Sequence, residues 1–382
     1  MKGDKGSIVY FGGFEMPDRN AAAHRVLNNG KALKMIGYDV VFSGVDSQID
    51  SDRKEPEFIG GFGSLPQRCP KGFFQEIEAL VSSKHIRLVI EKTENVRFVI
   101  AYNTHMIPLW NLLRYCRKKN IFLIADVTEW YENRFSLSPV KFIRWIDTEL
   151  VMKILHKRTD GIISISNYLT NYYRKFGKKI VQIPPLIDKE DNHWKNTPKS
   201  FSNQVEFVYS GSIGRGDKDR IDLLVDVFSM IELDYLFTVV GITKKQFIEK
   251  YPGYDAKITA LGSKIRFCGR VSHEESILSI KRADYCIFVR NPSRKNNAGF
   301  PTKFVECMTT GVGVIANDVS NISDYFPFEN GYLLDAIDLV SIKIIIELCI
   351  SKGKVEHRET SIFDYKEYIG SFQLFFDGYF KK

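Results

Sequence analysis

The sequence lacks the long apolar runs of membrane proteins and the clustered ligands of zinc proteins. No apolar run approaches the roughly 18–20 residues needed to cross a bilayer. The first apolar stretch, 7–11, is too short for a secretory signal, so we expect a cytoplasmic protein. Six cysteines are scattered without a Cys-x-x-Cys pair, and no histidines stand at metal-ligand spacing. We therefore expect buried, reduced thiols and no metal site.

A dinucleotide-binding fingerprint is also missing. A NAD-dependent enzyme would carry Gly-x-Gly-x-x-Gly after its first strand, with an acidic residue about 20 residues further on. The loop after the first candidate strand reads FGGF (11–14), which does not supply that pattern. We therefore do not expect a NAD-dependent oxidoreductase.

Positive charge is unevenly distributed along the chain. The net charge is +8, with 44% hydrophobic and 26% charged residues, a balance typical of a soluble globular protein. Residues 1–185 hold 28 Lys and Arg against 19 Asp and Glu, whereas residues 186–382 hold 26 against 27. The basic first half either attracts an anionic membrane surface or is a solvated surface rich in lysine. No nucleic-acid-binding motif accompanies the charge, so we expect no nucleic-acid partner.

Short β-branched or aromatic runs alternate with amphipathic helical patterns along most of the chain. Residues 72–94 are ambiguous, because the run 86–90 fits either a strand or a helix. Repeated strand–helix alternation predicts an α/β fold with parallel sheets, whose ligands bind at the carboxyl ends of the strands. The candidate strands are 7–11, 39–42, 97–102, 121–125, 161–165, 180–183, 205–210, 235–240, 265–268, 284–289 and 312–316. The candidate helices are 21–36, 106–119, 138–156, 167–176, 220–231, 273–282 and 301–310.

A polar, aperiodic stretch after the sequence IPPLI divides the chain and is typical of an interdomain linker. We therefore predict two Rossmann-like domains facing each other across a cleft. A terminal aromatic-rich helix can pack back on the first domain. The expected boundaries are 1–186 for the first domain, 187–204 for the linker, 205–361 for the second domain and 362–382 for the terminal helix.

The most informative motif is NNAGFPTKFVE, which follows a candidate strand and opens a helix. Gly299 permits close backbone approach, and Pro301 suits a helix start because its missing N–H would be unpaired there. The free N–H groups of Thr302 and Lys303 then present the positive end of the helix dipole to a phosphate. We expect Thr302, Lys303 and Glu306 to share one polar face, with Glu306 placed to accept hydrogen bonds from a ribose diol.

A second anion site is predicted in the loop YSGSIGRGDK, which follows the strand 205–210. Its glycine-rich backbone, with Arg215 and Lys218 before a helix, would clamp a diphosphate. The alternative is an ordinary β–α loop with solvated charges.

The second half of the chain resembles family 4 glycosyltransferases of the GT-B fold, which are retaining bacterial enzymes. The resemblance rests on the order of a glycine-containing strand and loop with a lysine, then FCGRV, then Ala-Asp, then GFPTK with a glutamate. It implies that Lys218 is the loop lysine and that Arg270 and Val271 lie against the nucleobase. It also implies that Glu306 is the second glutamate of a Glu-x7-Glu signature.

The chain departs from the family pattern at two positions. Ser212 stands where the family usually has arginine, and Arg215 can substitute for it. The first glutamate of the signature would fall at Ala298. The donor-binding residues implied by the resemblance are Gly12, Gly13, Gly211, Ser212, Arg270, Val271, Gly299, Phe300, Pro301, Thr302, Lys303 and Glu306.

The first half resembles the family's acceptor-binding domain, where small residues in a glycine loop let donor and acceptor approach. In the sequence IADVTEWYE, Asp126 stands where many relatives have a histidine near the transferred sugar, with Glu129 three residues on. Polar groups directly after a strand are candidates for function, and the alternative for Asp126 is a capped loop. We expect the catalytic residues to be Lys218, Arg215, Asp126 and Glu129, and the acceptor-binding residues to be Arg25, Asn103 and His105.

The resemblance implies a retaining transfer of a sugar from a nucleoside-diphosphate sugar, with UDP the expected nucleotide and no metal or other cofactor. The implied acceptor is a glycan or a lipid-linked molecule in bacterial surface polysaccharide synthesis, at the inner face of the membrane. The alternatives are a nucleotide-sugar epimerase of the same fold and a degenerate transferase that only binds. A glycosidase using Asp126 and Glu129 ranks below these, because it would need two carboxylates but no phosphate sites.

Overall fold

The structure is a computed structural model that describes residues 5–53, 55–131, 139–195, 203–212, 218–326, 329 and 331–380. The chain divides into two compact units. The first comprises Met1–Asp188, Ala298–Phe300 and Asp364–Lys382, and the second comprises Lys189–Asn297 and Pro301–Phe363.

The first unit is built on a mostly parallel sheet. Its strands are β1 (Ser7–Gly12), β2 (Asp39–Ser43), β3 (Val45–Asp46), β4 (Glu57–Ile59), β5 (Phe62–Ser64), β6 (Gln67–Arg68), β7 (Val96–Tyr102), β8 (Phe122–Val127), β9 (Gly161–Ser164) and β10 (Ile180–Gln182). In the described residues the sheet has eight strands in the order β10-β9-β8-β7-β1-β2-β5-β4, while β3 pairs with β6. Only β4 runs antiparallel to its neighbour in this sheet as described. The strand order reverses direction between β1 and β7.

Helices connect these strands. They are α1 (Ala21–Met35), α2 (Phe73–Val81), α3 (Lys84–Lys92), α4 (Met106–Lys119), α5 (Pro139–Leu150) and α6 (Asn167–Arg174). Helix α1 begins at a capped end, because the side chain of Asn20 accepts a hydrogen bond of 2.8 Å from the backbone N–H of Ala23. Helix α5 continues into a π-helical turn, Val151–Leu155, and the ambiguous stretch 72–94 forms α2 and α3.

The second unit has a parallel sheet of six strands in its described part, in the order β13-β12-β11-β14-β15-β16. The strands are β11 (Val205–Ser210), β12 (Tyr235–Val240), β13 (Ile265–Gly269), β14 (Tyr285–Phe288), β15 (Gly313–Asn317) and β16 (Gly331–Leu334). The helices are α7 (Ile221–Phe228), α8 (Lys244–Lys250), α9 (Asp255–Leu261), α10 (His273–Arg282), α11 (Arg294–Ala298), α12 (Thr302–Thr310) and α13 (Leu339–Lys352). Counted within the unit, this is the 3-2-1-4-5-6 order of a Rossmann fold, with its switch point between β11 and β14. The predicted α/β class is confirmed in both units.

The last helix, α14 (Ile369–Asp377), belongs to the first unit. Its apolar face packs on the sheet, where the ring of Phe376 lies 4.8 Å from that of Phe98 and 5.7 Å from that of Tyr38. Phe372 and Phe376 are fully buried, whereas Leu374 on the same helix is 73% exposed. One face of α14 therefore completes the core of the first unit.

Candidate functional site

Two glycines shape the backbone at the switch point of the second sheet. A side chain at Gly211, directly after β11, would come within 2.9 Å of the Lys303 ammonium nitrogen. Gly241, after the neighbouring strand β12, has φ +93°, and a side chain there would meet the carbonyl oxygen of Gly211 at 2.3 Å. Gly241 therefore has to be glycine, whereas a side chain at Gly211 would displace the ends of the Tyr209 and Lys303 side chains. The next predicted residue, Ser212, is exposed.

A buried cluster of charges lies against Gly211. The Asp219 carboxylate accepts a hydrogen bond of 2.7 Å from the Lys303 ammonium and one of 2.5 Å from Nε of Arg290. It also accepts one of 2.9 Å from the hydroxyl of Tyr209, over whose ring the Lys303 ammonium lies at 4.0 Å. Burial alone would raise the pKa of Asp219, but the two cations hold it well below its ordinary value. The cluster therefore combines two fixed cations with one carboxylate, an excess of positive charge at the switch point.

Lys218 is fixed through its backbone at the same place. Asp219 pairs with Arg290 in an isolated β-bridge, and the Lys218 carbonyl accepts a hydrogen bond of 3.3 Å from the amide of Asn296. The side chain of Lys218 is exposed. Arg215, expected beside it, lies outside the described residues.

Helix α12 begins after Pro301, as the motif predicted. Thr302 is exposed, and Glu306 one turn later is partly exposed, so both stand on an accessible face. The expectation that Lys303 shares this face is wrong, because its side chain turns inward to the Asp219 cluster and is 7% exposed. A lysine read as a surface cation is thus part of a buried ion network.

Glu306 has a partner that the sequence did not reveal. Its carboxylate lies 3.2 Å from Nε2 of His273, the first residue of α10. Arg270 and Val271 come just before Ser272, the residue that caps this helix, with Arg270 exposed and Val271 partly buried. Hence three predicted donor residues converge near the start of α10.

Three residues of the NNAGFPTKFVE motif belong to the first unit rather than the second. Ala298, Gly299 and Phe300 belong to the first unit, in which the Ala298 carbonyl accepts a hydrogen bond of 2.8 Å from the hydroxyl of Ser166. Ala298, standing where the family pattern has a glutamate, is fully buried. Phe300 is also buried and Gly299 is partly exposed.

In the first unit, Asp126 and Arg25 form a buried pair. Arg25 Nη2 donates to Asp126 at 2.8 Å, and its Nη1 donates to the carbonyl oxygens of Ile183 and Pro184. Asp126 also accepts a short hydrogen bond from the hydroxyl of Tyr10. Asp126 is 0% exposed and Arg25 is 3% exposed. The sequence predicted that Asp126 contacts the sugar and Arg25 the acceptor; these contacts instead tie α1 to β1, β8 and the segment after β10, a structural role.

Other predicted residues surround a cavity of about 360 Å³ at the carboxyl ends of β1, β2 and β7. The cavity brings together Gly12, Gly13, Asn103 and His105. Gly12 is required by packing, since a side chain there would reach the Tyr102 carbonyl oxygen at 2.3 Å, whereas Gly13 faces open space. The cavity is also lined by polar side chains that the sequence did not single out, among them Asp52, Gln67, Arg68, Gln75, Glu78, Lys84 and His85.

Hydrogen bonds position the polar groups at the rim of this cavity. The Asn103 amide donates to the hydroxyl of Thr128 at 2.8 Å, and Asn103 has a left-handed φ of 42°. His105 is exposed, with Nδ1 2.8 Å from the Asp147 carboxylate. Glu129 is partly buried two residues after β8 and does not line the cavity.

The described part of the chain carries neither a metal-ligand cluster nor a membrane-spanning helix. Among those residues, no cluster of three or more His, Cys, Asp or Glu could hold a metal ion. None of the helices described there is both long and apolar enough to span a bilayer.

Most of the second unit is similar to a known protein family. Residues 204–347 match the family described as "Glycosyl transferases group 1". The matched region runs from the start of β11 into α13 of the second unit. The chain is therefore a glycosyltransferase, the enzyme class expected from the sequence. A search of curated protein sequences gives no match.

Solved structures resemble both units of this glycosyltransferase. They include sucrose-phosphate synthase from Thermosynechococcus elongatus, at 15% identity and TM-score 0.73 over 98% of this chain and 99% of that chain. A glycosyltransferase from Rickettsia africae matches at 14% identity and TM-score 0.68 over 99% and 100%. Anabaena HepE in complex with UDP and glucose matches at 13% identity and TM-score 0.64 over 97% and 99%. At such identities the likeness establishes the fold, which is of the GT-B type with two Rossmann-like units.

Proposed function

We propose that this glycosyltransferase moves a sugar from a nucleoside-diphosphate sugar, with UDP as the nucleotide, and with retention at the anomeric carbon. The observation that carries the proposal is the buried cation cluster of Lys303 and Arg290 beside Gly211, at the switch point of the second unit. In Rossmann-like sheets this is where a nucleotide phosphate binds. Support for UDP comes from HepE, a structural relative that holds UDP and glucose.

The donor residues divide into three tasks. The excess positive charge of the cluster, the exposed Lys218 and the N-terminus of α12 stabilise the negative charge that grows on the departing diphosphate. Glu306, oriented by His273, accepts hydrogen bonds from the ribose. Arg270 and Val271 lie against the base.

The acceptor proton needs no dedicated protein base under this proposal. An oxygen of the donor diphosphate takes the proton from the acceptor hydroxyl as the new glycosidic bond forms. The assigned charge stabilisation comes from side chains and backbone, and we propose that no metal takes part. Chelation of divalent metals should then leave the initial rate unchanged.

We propose that the acceptor binds in the first-unit cavity. Its lining offers amide, imidazole, hydroxyl and charged groups around an open glycine, a set suited to the hydroxyls of a sugar. The acceptor is a glycan or a lipid-linked saccharide of bacterial surface polysaccharide synthesis. The enzyme then works in the cytoplasm at the inner face of the membrane, which the basic first half favours.

Nucleotide binding by the full chain tests the donor assignment. At 100 times the dissociation constant of UDP, UDP should raise the free energy of unfolding by about 2.7 kcal/mol. UMP at the same concentration should raise it less, because it lacks one phosphate. Turnover of a UDP-sugar should depend on an added acceptor saccharide. Equal stabilisation by UMP and UDP would refute the phosphate site, and donor epimerisation without an acceptor would favour the epimerase.

A further inference from the structure

An apolar groove opens on the first unit and shares no lining residue with the proposed acceptor cavity. It has a volume of about 340 Å³ and lies between α4 and the α5–π-helical segment. Its lining includes Ile107, Trp110, Leu150, Ile154, Leu155 and Arg158. Ile107, Trp110 and Ile154 are each between 37% and 41% exposed, so large apolar side chains reach the surface together. Large apolar side chains exposed side by side make this groove a candidate interaction surface.

Basic residues surround the groove. On α4, Arg114 and Arg117 follow Trp110 at helical spacing and are exposed on the same side of the helix. The Arg158 guanidinium lies 5.3 Å from the Trp110 ring, and Arg117 donates a hydrogen bond of 3.3 Å to the Arg158 carbonyl. One guanidinium therefore lies over the indole, and two more follow Trp110 along α4.

The basic surface continues from this rim to α6. The Lys157 ammonium lies 3.4 Å from the ring of Phe176, which is 46% exposed. Lys178 donates a hydrogen bond of 2.9 Å to the Lys157 carbonyl. We call the surface formed by Ile107, Trp110, Arg114, Arg117, Ile154, Lys157, Arg158, Phe176 and Lys178 the basic aromatic face.

The charge of the first half is concentrated in the segment that carries this face. Residues 106–179 hold 14 Lys and Arg against 6 Asp and Glu, whereas residues 1–105 hold 14 against 13. The nearby carboxylates are already bonded: Asp147 to His105 and the Met106 N–H, Glu149 to Lys153, and Asp160 to the Leu123 N–H. Even with these carboxylates counted, the segment carries a net charge of +8, so we expect the face to attract anions.

We propose that the basic aromatic face docks the enzyme on an anionic lipid bilayer. Tryptophan prefers the headgroup level of a membrane, where its ring is amphipathic, and each nearby Lys or Arg adds attraction to anionic lipid. A groove with apolar side chains at its centre and cations at its rim combines both. The inference rests on the proposed function only for its purpose, which is to bring the acceptor cavity to a lipid-linked substrate.

Vesicle binding by the full-length protein tests the proposal. We expect binding to vesicles that contain phosphatidylglycerol and little binding to pure phosphatidylcholine. Arg114→Gln with Arg117→Gln should weaken the partition coefficient about 30-fold, from about 1 kcal/mol per basic residue. The matched control, Lys244→Gln with Lys245→Gln on α8 of the second unit, removes the same charge and should leave binding unchanged. Raising the salt concentration from about 0.1 M to about 1 M should also weaken vesicle binding by the wild type, because the screening length falls from about 10 Å to about 3 Å.

A fluorescence measurement tests the apolar part of the face. Lipids brominated on the acyl chain should quench tryptophan emission in the wild type and less in Trp110→Phe. Absence of vesicle binding by the wild type, or equal loss in the control pair, would overturn the proposal. So would a solution dimer that Trp110→Ser dissociates, because a second copy would then cover the face. UDP binding by calorimetry in the same variants reports the donor site separately, so failure of docking and failure of the proposed function are distinguishable.

Discussion

Asp219 bonds to residues 71 and 84 positions further along the chain and so joins a loop, a strand end and a helix. Replacing it by Asn leaves two cations close together in a buried site, so Asp219→Asn should lower the free energy of unfolding by about 3–5 kcal/mol. The exposed Asp335→Asn serves as control and should change it by less than about 0.5 kcal/mol. Denaturant titration measures both.

The ion pairing of Asp219 also predicts that the free energy of unfolding depends on pH. The pKa of Asp219 is lowered in the folded state, so its contribution is fully present above the unfolded value of about 3.9. It is lost as the pH falls below that value through the folded pKa. The stability difference between wild type and Asp219→Asn should therefore be constant from neutral pH to about pH 4 and shrink below it. A difference that vanishes already at pH 6 would contradict the ion pairing.

Lys218 is the exposed cation of the donor loop. Lys218→Ala removes leaving-group stabilisation but no core packing, so kcat should fall by about 10²–10³ with an unchanged melting temperature. Lys245→Ala, an exposed lysine on α8, is the control and should keep full activity. Full activity in the Lys218 variant would remove this residue from the mechanism.

Glu306 tests the orientation of the donor. Glu306→Gln keeps the side-chain volume but weakens a charge-assisted hydrogen bond, so donor affinity should fall by about 1.5–3 kcal/mol while acceptor affinity stays unchanged. Glu274→Gln, exposed on α10, should affect neither. Calorimetry measures donor and acceptor binding separately. A loss of acceptor affinity with unchanged donor affinity would place Glu306 in the acceptor site.

At the scale of elements, we expect the two faces of α14 to contribute unequally to stability. Phe376→Ala should lower the free energy of unfolding by about 3–5 kcal/mol, because it opens a cavity against Phe98 and Tyr38. Leu374→Ala, on the 73% exposed side of the same helix, should change it by less than about 0.5 kcal/mol. Similar losses in both variants would mean that α14 is not docked as described.

Elements with a clear period were predictable from the sequence, and those decided by distant partners were not. The strands at 7–11 and 205–210 and the helix after Pro301 lie where their patterns indicated. Residues 86–90 are a helix because Ile86, Val89 and Ile90 bury one helical face, a choice that a short apolar run alone leaves open. The short strands β3 and β6 depend on pairing with each other, which no local pattern announces.

At the scale of the whole molecule, the sequence predicted the two α/β units and the enzyme class. It did not predict the ion-pair partners of two candidate residues, Lys303 and Asp126. Lys303 turned inward and Asp126 became buried because each meets an opposite charge far along the chain, at Asp219 and Arg25. Single-sequence motifs report which residue types stand at a strand end, whereas burial depends on what the rest of the fold brings there.

The discontinuity of the first unit has a consequence for biosynthesis. The ribosome releases Met1–Asp188 first, yet Phe98 and Tyr38 stay uncovered until α14 follows after residue 363. The second unit, by contrast, has all of its chain synthesised before α14. Nascent first units therefore present an apolar surface while roughly the second half of the chain is made, and such a surface is prone to aggregation. Chains that end before α14 would keep that apolar surface exposed, so we expect them to aggregate more readily than chains that carry the helix.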